Sequence, residues 1–231
     1  MGIRQSLLKL YWRTERVIAP SLKYADCIYE EALRSNINPG ARWLDVGAGH
    51  NVLSRWRFKQ EQQLVRQSKI TVGLDSCLAA LRKHKSILLK VQGHVVSLPF
   101  KDCSFDLVTA NMVVEHLDRP DVEFGEVSRV LKPGGLFIFH TPNGPGYQTV
   151  MARLIPRKLK KKLISLCEGR KEEDVFDTYY RANRQTEIRE LAKSTGFEII
   201  GIEMANSPAE LAVIPPLAIL EVFFAKGSDD R

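Results

Sequence analysis

The sequence predicts an α/β protein built on a doubly wound, mostly parallel sheet with helices on both faces. Three observations carry that expectation. Strand-like and helix-like runs alternate beyond Asn38-Pro39-Gly40. The central strand candidates are near-continuous apolar runs, as in Leu136-Phe137-Ile138-Phe139, which suits strands covered on both sides. The first strand runs into Gly47-Ala48-Gly49, a glycine-rich turn that opens a helix.

The elements follow in order. Residues 1–38 read as an N-terminal helical cover, lying over a ligand crevice or packed on an outer face, and residues 39–231 read as one domain. Within it, strand 42–46 leads to helix 52–66, strand 70–74 to helix 78–84, and a further strand spans 90–95. Strand 105–110 is followed by helix 122–131, strand 136–141, helix 186–195 and strand 197–204. Pro133-Gly134-Gly135 ends a helix and starts a strand. Residues 143–184 break the rhythm, since they follow a core strand and hold no new strand. They read as a helical lid insertion after strand five, leaving the strand ends outside which ligands bind in open parallel sheets. The apolar run 215–225 is either a final antiparallel strand at 219–225 or a short helix.

Composition sets the class. The chain has 231 residues, 44% hydrophobic and 26% charged, as a globular protein does. Its formal charge of +7 raises nucleic acid, an anionic membrane surface or an anionic substrate as partners. Eight Lys and Arg fall within residues 153–171 with Glu168 as the only acid, so that stretch holds the whole excess. As a helix it places Ile155, Leu159, Leu163 and Leu166 on one face and its cations elsewhere, which suits an anionic membrane surface or a solvated cover. Nucleic acid ranks third because the stretch has no aromatic residue to stack on bases.

Cys27, Cys77, Cys103 and Cys167 form no CxxC pair, so neither a zinc site nor a dithiol motif is expected, and nothing calls for a metal. Arg4, Lys9, Arg13, Glu15 and Arg16 interrupt any secretory apolar core. The run 211–225 is short and broken by Pro215, Pro216 and Glu221. A cytoplasmic location follows, with peripheral membrane association through 153–171.

The segment Trp43-Leu44-Asp45-Val46-Gly47-Ala48-Gly49-His50-Asn51 joins a buried strand to two glycines that permit a sharp turn and close ligand approach. A second acid, Asp75, ends the next strand, where a carboxylate can accept hydrogen bonds from ribose hydroxyls. With GHVVSLPFKDCSFDLV, ANMVVEHL and LKPGGLFIFHTPN following in order, the chain resembles the class I S-adenosylmethionine-dependent methyltransferases, closely over 39–143 and loosely over 184–204. The resemblance implies a Rossmann-like fold and S-adenosylmethionine as the methyl donor.

It also implies roles for individual residues. Asp45 lies near the ammonium end of the donor, Gly47 and Gly49 pass under its methionine and ribose, and Asp75 with the adjoining Ser76 holds the ribose. His94 and Val95 occupy the adenine position, where the family commonly has an acid that histidine does not reproduce. The third glycine of the family falls on Asn51, which tolerates positive φ. Asn111 is a contact at the methionine end. His116 could act as a general base or belong to the scaffold, and His140 and Asn143 end strand five where an acceptor sits or simply pack there. Tyr179, Tyr180 and Arg181 could line an acceptor pocket or pack within the lid.

The expected activity is methyl transfer to a small-molecule or lipid-linked acceptor at oxygen. No Asn-Pro-Pro-Tyr or Asp-Pro-Pro-Tyr follows strand four, which argues against methylation of nucleobase amino groups. Two alternatives stand beside it: a non-catalytic module of the same fold that binds a partner or membrane surface, and an NAD(P)-dependent oxidoreductase. The second is disfavoured because the third glycine of GxGxxG would fall at Val52.

Overall fold

The computed structural model describes residues 13, 17, 24–146, 149–150 and 176–205. The chain forms two compact units, one of residues 32–202 and one of 1–31 with 203–231. The basic stretch 153–171 and the apolar run 215–225 lie outside the described residues. The first described helix is α1 (Ala25–Asn36).

The core is a sheet of β1 (Arg42–Val46), β2 (Ile70–Asp75), β3 (Leu89–Gln92), β4 (Phe105–Asn111) and β5 (Leu131–His140). All four pairings are parallel and the order is β3-β2-β1-β4-β5. The connecting helices are α2 (Phe58–Gln67), α3 (Leu78–Lys83) and α4 (Pro120–Val130), and α5 (Gln185–Thr195) follows the excursion. Right-handed crossovers send α2 and α3 to one face and α4 to the other, because the chain moves outward from β1 in opposite directions.

Side-chain alternation agrees. Leu44, Val46, Val108 and Ala110 pack with Val127 and Val130 of α4, whereas Asp45 and Thr109 point toward Glu61 of α2. Both faces of β1 are therefore covered, which is why Trp43, Leu44 and Val46 are all buried. The direction of travel reverses between β1 and β4, and that switch opens a crevice at the carboxyl ends of these strands.

Several boundaries differ from the sequence expectation. The expected helix at 52–66 begins with a 3₁₀ turn at Arg55–Arg57 and becomes α-helical at Phe58, because residues 51–54 are drawn into side-chain and backbone contacts of the glycine turn. β3 spans 89–92 rather than 90–95, since Gly93 turns off the edge by donating to Asp75 O at 3.0 Å. β5 starts at Leu131 instead of 136. Pro133-Gly134-Gly135 forms a bulge between the pairings Phe105↔Leu131 and Leu107↔Leu136, and a Cβ on Gly135 would stand 2.9 Å from Lys132 O. The expected strand at 197–204 is absent among the described residues; Phe197 instead packs its ring 5.8 Å from that of Phe137.

The route from β3 back to β4 has no helix and is held by Arg129 of α4. Its guanidinium donates to Leu98 O, Phe100 O, Asp102 and Glu126 at 2.7–2.9 Å. One side chain thereby ties two loop carbonyls to α4, of which Leu98 O also accepts Phe100 N–H at 2.8 Å.

Candidate active site

Gly47 at φ +67° and Gly49 at φ +49° turn the chain at the end of β1. Asn51 keeps a negative φ, and its amide donates to Leu53 O, so two left-handed glycines suffice for the turn. A Cβ at Gly47 would run into the side chain of Val113, which lies against the turn from the β4 side. The turn is clamped to β2 and α2. Ala48 N–H donates to Leu74 O at 3.0 Å, Gly49 N–H to Asp75 Oδ2 at 2.8 Å, and Leu53 N–H to Glu61 Oε2 at 3.0 Å.

Asp75 is 8% exposed, and its other oxygen, Oδ1, accepts Cys77 N–H at 2.7 Å. Each carboxylate oxygen has a second lone pair for a ligand hydroxyl. Ser76 O accepts Gln92 Nε2 at 3.0 Å. Because Gly93 is tied to Asp75 O, exposed His94 and half-buried Val95 leave the sheet beside this carboxylate. His94 sits in a turn with Ser97, and Val95 packs against the core.

Asp45 lies deeper, on the face toward α2. It accepts Thr109 Oγ1–H at 2.5 Å, and Thr109 Oγ1 accepts Trp43 Nε1–H at 2.7 Å. Burial pushes the Asp45 carboxyl up to about 7; the Thr109 bond opposes this, and the Glu61 and Asp75 charges add to it. Burial likewise raises Glu61. Three acids thus surround the glycine turn, an environment that favours a cationic ligand. Left-handed glycines, the Asp75 carboxylate and this acidic surround together fit the adenosyl, ribose and cationic parts of S-adenosylmethionine.

Asn111 and His140 meet across the ends of β4 and β5. His140 Nδ1 lies 2.9 Å from Asn111 Oδ1, Asn111 Nδ2 donates to Val52 O at 2.9 Å, and Met112 N–H donates to His140 O at 2.9 Å. The Asn111 amide therefore bridges the glycine turn to β5. Met112, next in line, holds φ +56° and is 45% exposed, a strained conformation for a non-glycine residue at the crevice.

His116 stands apart from that pair. It lies in a 3₁₀ turn (Val114–His116), its Nδ1 donates to Asp177 O at 2.6 Å, and its ring meets Phe176 edge-on at 6.0 Å. The returning end of the excursion, 176–184, is thus held at the carboxyl ends of β4 and β5. The two ends of the excursion also meet: Gly144 N–H donates to Asn183 O at 2.6 Å. Arg181 pairs with Asp118 at 3.1 Å and stacks 5.4 Å from the Tyr179 ring centroid. Residues 151–175 of the expected lid lie outside the described residues.

Sequence reasoning missed Thr109, Glu61 and Glu115. Glu115 is buried, and burial pushes its carboxyl up to about 7 against hydrogen bonds from its own amide and Thr141. Glu61 and Glu115 read as solvated acids until packing covers them. Among the described residues no group of three or more His, Cys, Asp or Glu is placed to hold a metal, and no helix is long and apolar enough to cross a membrane. The amino ends of β1, β4 and β5 border a cleft of about 250 Å³ beside the Asp106–Lys132 ion pair, at the opposite end of the strands from the glycine turn.

Comparison with known proteins agrees with this fold. Residues 44–139 match the model of a methyltransferase domain. The chain is 28% identical over 219 residues to 24-methylenesterol C-methyltransferase 2 of Oryza sativa subsp. japonica, covering 86% of this chain and 54% of that one. It is 28% identical over 141 residues to a demethylmenaquinone methyltransferase of Corynebacterium kroppenstedtii, covering 58% of each. The chain therefore spans somewhat over half the length of these curated relatives. The crystal structure of an S-adenosylmethionine-dependent methyltransferase from Mesorhizobium loti superposes with a TM-score of 0.55 at 21% identity, covering 85% of this chain and 92% of that one, which is a likeness of fold. The chain therefore carries a methyltransferase domain over residues 44–139, on the parallel-sheet fold of the class I S-adenosylmethionine-dependent methyltransferases.

Proposed function

We propose that the protein transfers a methyl group from S-adenosylmethionine to a small-molecule or lipid-linked acceptor. The observation that carries this reading is the coupling of Gly49 to Asp75, which sets a carboxylate and a left-handed glycine side by side at the crevice. The bound donor supplies a methyl already activated on a sulfonium, so alignment and exclusion of water are the main demands on the protein. In this reading Asp75 and Ser76 hold the ribose, and Gly47 and Gly49 let the backbone approach it. Asp45 and Asn111 border the methionine end, and His94 and Val95 border the adenine.

The acceptor atom we favour is oxygen. His116 Nδ1 donates to a carbonyl, which leaves the neutral ring's lone pair on Nε2 and suits it to take a hydroxyl proton; His140 is the second histidine at the crevice. Carbon is the second reading, favoured by the named activity of the rice relative. Product analysis with deuterated methyl donor distinguishes O–CH₃ from C–CH₃. The stretch 153–171 is proposed to face an anionic membrane surface, and sedimentation with anionic vesicles at low and high salt tests it; no binding at either salt overturns it.

Titration calorimetry with S-adenosylhomocysteine tests the donor reading. Binding by the folded protein, weakened by Asp75→Ala, supports it; no binding by the folded protein overturns it. NADH binding instead would favour the oxidoreductase alternative. Donor binding without turnover on any acceptor would favour a non-catalytic module.

A further inference from the structure

We propose that Glu115 is a positioning residue: it fastens the returning limb 176–184 to the ends of β4 and β5 and orients His116 between itself and the limb.

The fastening uses both backbone and side chain. Glu115 O accepts the N–H groups of Tyr179 at 2.8 Å and Tyr180 at 3.1 Å. Two successive amides turn toward one carbonyl where Tyr180 adopts φ +52°, a left-handed conformation that a non-glycine residue rarely takes. The carboxyl works from the other side. Glu115 Oε2 accepts Thr141 Oγ1–H at 3.1 Å, and Thr141 Oγ1 accepts Asn183 Nδ2–H at 2.7 Å. The same Asn183 amide group donates to Pro142 O at 2.8 Å, and Asn183 N–H donates to Glu187 Oε2 at 3.0 Å at the start of α5. One buried acid thereby joins the turn after β4, the end of β5 and the limb that leads into α5.

The two oxygens have different neighbours. Oε2 belongs to the Thr141–Asn183 chain, while Oε1 stands 3.9 Å from His116 Nε2. The other ring nitrogen is held by Asp177 O, so the ring lies between Glu115 and the limb. Arg181 of the limb is engaged by Asp118 at 3.1 Å, and His116 is the basic group beside Glu115 in this turn. Burial holds Glu115 protonated through the acid range and releases its proton near neutrality, where an ionised Glu115 favours the imidazolium. A carboxyl placed in this way sets both where the ring points and how readily it accepts a proton.

The role of His116 as a base rests on the proposed methyl transfer, so the test avoids activity and ligand. Amide hydrogen exchange on the full chain is compared for wild type, Glu115→Ala, Glu115→Gln and Thr141→Val, and the His116 ring is titrated by NMR. Loss of one buried hydrogen bond worth about 1.4 kcal/mol should raise exchange at 179, 180 and 183 roughly tenfold in Glu115→Ala and Thr141→Val, with β1 and β4 unchanged. Glu115→Gln should restore slow exchange through its remaining carbonyl oxygen yet lower the His116 pKa by removing the charge. Unchanged exchange at 176–184, or an equal rise throughout the chain, overturns the fastening. An unchanged His116 pKa in Glu115→Gln overturns the orienting role. Either result leaves the donor reading intact, since calorimetry with S-adenosylhomocysteine decides that separately.

Discussion

Gly49 and Asp75 are bound to each other across two strands: the glycine amide donates to Asp75 Oδ2 at 2.8 Å while Cys77 N–H occupies Oδ1. The carboxylate therefore shapes the turn before it meets any ligand. A residue 26 positions away in sequence holds the glycine in its left-handed conformation.

Asp75→Ala should remove the proposed ribose acceptor and the support of the turn together. The expected loss in S-adenosylhomocysteine affinity is on the order of a hundredfold, since hydrogen bonds to a charged group are worth about 1.5–3 kcal/mol each. Asp75→Asn keeps one acceptor oxygen and should lose less. Calorimetry on the three proteins checks the order; equal affinities would contradict it.

Gly47→Ala and Gly49→Ala should differ although both glycines have positive φ. Each substitution carries a backbone penalty of about 1–2 kcal/mol, but only Gly47→Ala also drives a methyl into Val113. Thermal melts should place Gly47→Ala lower. Adding Val113→Ala should recover part of that difference and none of the shared backbone term.

Asp45 and Glu115 both have folded-state pKa values near 7, well above their ordinary ranges near 4. The folded protein binds more protons than the unfolded chain between these values. The stability these groups contribute is full below about pH 4 and is lost as pH rises through about 7. Denaturant melts from pH 4 to 8 should show the decline, and Asp45→Asn should flatten it. A profile that rises with pH and is unaltered by Asp45→Asn would contradict this.

Thr109→Val should be costly despite its small change in shape. It removes the acceptor of Trp43 Nε1–H and the donor to Asp45 in one step, leaving buried groups unpaired at about 1–3 kcal/mol each. Chemical denaturation measures the loss. A change below roughly 0.5 kcal/mol would show that neither bond contributes.

Asn111→Ala and His140→Ala should be coupled. Their 2.9 Å contact joins the glycine turn to β5, so either substitution breaks the same bridge and the double variant should lose about 1 kcal/mol less than the two together. A double-mutant cycle by denaturation checks this, with strict additivity as the contrary result.

Much of the framework is legible from residue pattern. The apolar runs of β1, β4 and β5 mark strands covered on both faces, and Asp45-Val46-Gly47-Ala48-Gly49 marks the turn that needs left-handed backbone. Boundaries were less legible where a distant group decides them. Helix α2 starts late because the turn's residues are claimed by Asn51, Glu61 and Asn111, and β5 starts early because Pro133-Gly134-Gly135 is absorbed as a bulge. Phe197 has the pattern of a strand residue, yet its ring is drawn into the aromatic cluster with Phe124 and Phe137.

The order of the motifs by itself determined the family, the class of methyl donor and the edge of the sheet that holds the crevice, because these depend on local backbone needs and on strand order. The tertiary structure alone decided which polar residues are buried and paired. It linked Asn111 to His140, and Asp45 to Thr109 and Trp43, and it enclosed Glu115 between Thr141 and the limb that returns at Tyr179. The physical reason is that desolvation and hydrogen-bond geometry belong to neighbours brought together by the fold, and a carboxyl has the same place in the sequence whether water or protein surrounds it.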